Sequence, residues 1–181
     1  MTPSAGTLLA TVSVLLVVAL PGTAAASETT VADPDDAPGR LDVIAVTHGH
    51  VDDLLEHTVR TQRQWASSVL ADGTLTLVFR IGPRFRTLDV DYRNGRLVGV
   101  ICTDRTADGG GGLVRCSRDV TVTRPDRRTV SVTLAPGLLR RDLHRYRWQV
   151  VTQLDSGEGG CQEVVCFDQV PDDGRWVRHR L

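Results

Sequence analysis

The sequence predicts an all-β protein: an antiparallel β-sandwich of about eight or nine strands with at most one or two short helices. Three observations predict it. Apolar residues recur with period two, or in short continuous runs, at intervals of about 8 to 12 residues. The dipeptide Asn94-Gly95 lies between two alternating runs, where both turn residues take positive φ to close a tight hairpin. Helical periods are scarce, so the helices that a βαβ fold places between its strands are missing.

The chain divides into three parts. Residues 1–26 read as a secretory signal peptide: the uncharged apolar run Leu8 to Leu20 is followed by Pro21-Gly22 and by Ala24-Ala25-Ala26, an A-x-A cleavage pattern, although no Lys or Arg precedes the run. Cleavage after Ala26 leaves Ser27 to Leu181, about 155 residues and one domain. The expected location is secreted or extracellular. The apolar run is shorter than the roughly 20 residues that cross a bilayer, so no mature membrane span is expected, and an uncleaved signal would act as an anchor. Residues 27–40 form an extended polar lead-in with the turn-rich run Asp33 to Gly39, and residues 41–181 form the single sandwich domain.

Strands are expected at Leu41 to Thr47, His57 to Gln62 and Thr74 to Ile81, then as the hairpin Thr87 to Arg93 and Arg96 to Thr103. Leu113 to Cys116 follows. Asp119 to Arg124 and Arg128 to Leu134 alternate valine with polar residues around Pro125-Asp126-Arg127, the pattern of a half-buried hairpin. Pro136 to Arg145 fits one short helix with proline near its start, and Thr61 to Leu70 is a second helical candidate. Tyr146 to Leu154 resumes a strand, with Trp148 as a core aromatic. The tail after Gly159 reads as irregular.

Charge and cysteine content bound the function. All 21 basic residues are arginine, and the formal net charge is −1. Such a balance offers no strong field to recruit nucleic acid. Four cysteines in an exported chain predict disulfides, and local spacing pairs Cys102 with Cys116 and Cys161 with Cys166.

The acidic turn Asp33-Pro34-Asp35-Asp36 ahead of Leu41-Asp42-Val43-Ile44 resembles the opening of secreted bacterial β-sandwich domains, including carbohydrate-binding and adhesion-like modules. Leu41-Asp42-Val43, His48-Gly49-His50, Tyr146-Arg147-Trp148 and Cys166-Phe167-Asp168 with Pro171-Asp172 are also similar to a family of small exported proteins from GC-rich bacteria, a resemblance that brings no activity with it.

Val46 to Asp53 resembles in part the His-x-His-x-Asp-His signature of metallo-β-lactamase-type hydrolases, with Asp53 where the last histidine stands and too little chain before it for the preceding strands. A simpler metal reading places His48 and His50 on one strand face with His57 approaching from the next strand, imidazoles able to hold Zn or Cu. Asp33, Asp35 and Asp36 form an oxygen-rich turn suited to Ca²⁺, and Asp104 and Asp108 beside Gly109 to Gly112 invite the same reading. No Gly-x-Ser-x-Gly elbow is present, and Asp89 with Asp91 share a strand face as solvated acids. The expected function is an exported, non-catalytic module that binds a cell-envelope glycan or a protein and requires no cofactor. The alternatives are a zinc hydrolase using His48, His50, Asp52 and Asp53, and a structural or interaction protein without a small-molecule ligand.

Overall fold

The computed structural model describes residues 28–103, 115–172 and 174–181. Residues 1–26, expected to be a signal peptide, and Asp104, Asp108 and Gly109 to Gly112 lie outside the described residues. Two antiparallel sheets face one another. The first, in the order β1-β2-β3-β9-β8, comprises Thr29–Ala32 (β1), Val43–Val51 (β2), Leu54–Thr61 (β3), Thr129–Leu134 (β9) and Val120–Thr123 (β8). The second runs β11-β10-β4-β5-β6-β7, built from Gly73–Ile81 (β4), Arg84–Arg93 (β5), Arg96–Thr103 (β6), Cys116–Ser117 (β7), Arg145–Asp155 (β10) and Val165–Val170 (β11). Val177–Arg180 (β12) also pairs with β10.

Alternation fills the space between the sheets. Leu75, Leu77, Phe79, Leu88, Trp148 and Val150 of the second sheet meet Val46, Leu55, Val59, Val130, Val132 and Leu134 of the first, and all belong to one buried cluster. Asn94 and Gly95 both take positive φ between β5 and β6, the hairpin that the dipeptide predicts. Cys102 is bridged to Cys116 and Cys161 to Cys166, as local spacing predicts.

The described residues hold twelve strands, more than the eight or nine expected. The three additions are β1, β11 and β12. The lead-in is ordered as β1 because it pairs with β2, Thr29 with His48 through Ala32 with Ala45. The tail is not irregular: β10 is eleven residues long, and one of its edges accepts β12 along Arg145 to Trp148 and β11 along Val150 to Asp155. Both helical expectations shrink. Pro136–Leu139 forms one α-helical turn (α1) with proline in its first turn, and the other candidate is extended or irregular up to a 3-10 turn at Ser67–Ala71.

Candidate functional site

A concentration of positive charge lies on the outer face of the second sheet. Tyr146, Trp148 and His179 are buried, so the residues alternating with them, Arg145, Arg147, Arg178 and Arg180, point away from the core into solvent. Register places them side by side. Arg147 stands opposite Arg178 on β12 and opposite Arg80 on β4, and Arg145 stands opposite Arg180. These five arginines line a cleft of about 330 Å³ together with Gly82, Tyr146 and His179, and among the described residues no carboxylate lines it. Beyond Arg80 the row continues to Phe85 on β5, whose ring lies 5.9 Å from that of Trp176, and the Arg80 guanidinium stands 5.7 Å from the Phe85 centroid. The face is an arginine ladder ending in two half-buried aromatic rings.

Directly behind it is a histidine cluster. His48 and His50 project inward from β2, His57 from β3 and His179 from β12. The His48 and His179 rings meet edge to face at 4.6 Å, His50 lies 5.0 Å from His179, and His48 lies 6.0 Å from His57. Trp148 packs against both His48 and His57. His48 Nδ1 is 3.2 Å from the Thr29 carbonyl oxygen, which accepts, so the proton sits on Nδ1. The Tyr146 hydroxyl is 3.5 Å from His57 Nε2, while His57 Nδ1 and His179 Nε2 are buried without a hydrogen-bond partner. Burial, followed by His179 and His50, pulls the His48 pKa down to about 4. Burial also holds His57 well below the usual histidine range, with His48 the next cause, and lowers His179, with His50 the next cause. His48, His57 and His179 therefore pack as neutral rings at neutral pH.

The three histidines proposed as metal ligands, His48, His50 and His57, do share the inner face, but they are not among the groups whose ligand atoms all lie within 4.8 Å of one another. Asp52 and Asp53 sit exposed in the turn between β2 and β3, with Asp52 at positive φ, so the motif that begins at His48 forms a hairpin rather than a loop that gathers ligands. Asp89 accepts a hydrogen bond from Thr76, and Asp91 pairs with Arg93.

The acidic turn divides. Asp33 and Asp36 converge with Asp168 of β11 and Asp172 just after it, one carboxylate oxygen of each lying within 4.8 Å of the others, whereas Asp35 accepts from the Gln62 side chain. Asp168 accepts from the Val43 amide at 2.7 Å, tying β11 to the start of β2. Burial, then Asp168, Asp172, Asp36 and Asp42, push Asp33 up to about 7. Burial, then the Asp35 side chain and Asp168, push Asp42 up to about 7, and burial is also the main cause that raises Asp168 to about 6. Asp33 Oδ2 and Asp42 Oδ1 are buried without partners.

Sequence reasoning missed His179, Asp168, Asp172 and the arginine ladder. The ladder had a signal in the alternation Arg145-x-Arg147 and Arg178-x-Arg180, but the pairing that unites these pairs with Arg80 is long-range. No family model matches the chain, and no curated protein or solved structure matches it.

Proposed function

We propose that the protein is an exported, non-catalytic binding module that holds an anionic glycan of the cell envelope on its arginine ladder. The uncompensated charge carries this reading: five arginines line one cleft, three of their cross-strand pairings set arginine against arginine, and no carboxylate among the described residues shares the lining. Like charges placed directly opposite in a sheet destabilise it, so a face of this kind is costly unless a ligand supplies the opposite charge. Guanidinium forks suit carboxylate and phosphate groups, since each can donate two parallel hydrogen bonds. Phe85 and Trp176 add flat apolar surface at the end of the row, against which a sugar ring can lie. Two disulfides fit an oxidising compartment outside the cytoplasm.

Titration with a polyuronate, a polyglycerol phosphate and neutral dextran at low and moderate salt tests the reading. Binding of one or both anionic polymers that weakens with salt, and no binding of dextran, is the expected result. The polymer that binds more tightly identifies carboxylate or phosphate as the preferred group. Exchanging Arg147 and Arg178 together for glutamine should weaken binding about tenfold or more, equivalent to 1.4 kcal/mol. Binding that ignores polymer charge, or survives this double exchange unchanged, overturns the reading.

A further inference from the structure

Strand β12 supplies two of the five arginines that line the cleft, yet little holds it in place. It is four residues long and pairs only with Arg145 to Trp148 of β10, and the amide of Leu181 beyond it donates to the His144 carbonyl. Inward, its anchors are the half-buried Val177 and His179, which is 5% exposed, and just before it Trp176 rests against Phe85 and Arg80 on the outer face. A strand with so short a ladder depends on its buried side chain for attachment.

That side chain is poorly placed to accept a proton. From β2 it faces His48 and His50, and from β10 Tyr146, while His57 of β3 stands behind His48. The cleft it shares brings Arg80 of β4 and Arg145 and Arg147 of β10, and Arg178 and Arg180 flank it on its own strand. Every one of these groups is neutral or cationic. An imidazolium at residue 179 would find no carboxylate among them, and a proton taken up by His48 would repel it directly.

We infer that β12 is an acid-released latch, in which protonation of the facing His48 and His179 rings detaches the strand from β10 and withdraws Arg178 and Arg180 from the binding face. The latch opens below the ordinary histidine range, because the folded cluster resists protonation until the strand leaves. Once β12 is free its imidazole is solvated and takes up its proton at the ordinary value, which drives the equilibrium further open. A glycan captured near neutral pH is therefore released in an acidic environment. The release of ligand rests on the anionic-glycan reading; the movement of the strand does not.

Hydrogen exchange of the folded protein at pH 7.5 and pH 5, corrected for intrinsic chemical rates, reads the strand directly. The amides of residues 177–181 should exchange at least about tenfold faster at pH 5, while those of β5 and β6 keep their protection. His179→Phe retains a ring that cannot charge and should abolish the acceleration. His48→Gln, which removes the imidazole that meets His179 edge to face, should move the acceleration to lower pH. Polymer binding measured in parallel should fall at pH 5 in the wild type. Unchanged protection of β12 in the wild type overturns the latch, as does acid acceleration of the same size and midpoint in both variants. Strand release without polymer binding at pH 7.5 removes the glycan reading and leaves the latch standing; polymer binding with a protected β12 at pH 5 does the reverse.

Discussion

His48 and His57 are register partners on β2 and β3, and their rings lie 6.0 Å apart and 26° from parallel between the two sheets. Both are buried and both have depressed pKa values. A histidine whose folded pKa lies below its unfolded value of about 6.5 contributes stability that is complete above 6.5 and is lost as pH falls toward the folded value. For His48 that window runs from 6.5 down to about 4. Urea midpoints measured across it should fall steadily. His57→Phe, whose ring would still meet Phe79 and Trp148, should flatten the decline. An equally steep decline in the variant would place the acid sensitivity elsewhere.

The aspartates act in the opposite direction. Asp33 is raised from 3.8 to about 7, so its effect on stability is most favourable below pH 4 and is lost as pH rises through 7. Asp33→Asn should therefore raise the melting temperature at pH 8, by less at pH 5, and have little effect below pH 4. A gain of about 2–4 °C corresponds to 1 kcal/mol in a domain of this size. Calcium provides a second measurement at the same site, because a cation held by Asp33, Asp36, Asp168 and Asp172 would stabilise the wild type at pH 8 and lose that effect in the variant. A melting temperature for Asp33→Asn that is unchanged at pH 8 would show that the four carboxylates do not repel one another as their spacing requires.

How much of this was legible depended on range. Asn94-Gly95 and the valine alternation at Val120, Val122, Val130 and Val132 predict their hairpins because turn chemistry and period two are local signals. Trp148 reads as core for the same reason. The tail does not, since β12 offers Arg178-His179-Arg180, a buried imidazole between two charges, and carries little apolar period. His48 and His50 were legible as one strand face, yet their partner His179 is 131 residues from His48 in the chain and joins them only through β10. Net charge conceals the ladder as well, because a total of −1 sums an arginine face and an aspartate cluster held apart by the fold.

Gly99 marks the close approach of the sheets beside β8. A Cβ there would lie 2.7 Å from Val120 Cγ1 and 3.0 Å from Val122 Cγ2, inside van der Waals contact. Gly99→Ala should destabilise by about 1–3 kcal/mol through overpacking. Adding Val120→Ala should return part of the loss by opening the space, so a double-mutant cycle should give a favourable coupling. Additive losses would indicate that the sheets separate freely at this point.

The disulfides differ in what they hold. Cys102 to Cys116 joins β6 to β7 near the surface, with Cys116 exposed, and closes a loop for which chain entropy predicts about 3 kcal/mol. Cys161 to Cys166 closes a loop of about six residues, worth roughly 2 kcal/mol on the same model, so loop length alone ranks it second. Burial changes the ranking. Cys161 and Cys166 are 2% and 4% exposed and belong to the core cluster. Exchanging both for alanine removes the cross-link and also two buried sulfurs, and the resulting cavity adds a packing loss that the surface bridge does not incur. Thermal melts of the two double-alanine variants should therefore show the larger drop for Cys161 and Cys166. A larger drop for Cys102 and Cys116 would mean that chain entropy outweighs packing at both sites.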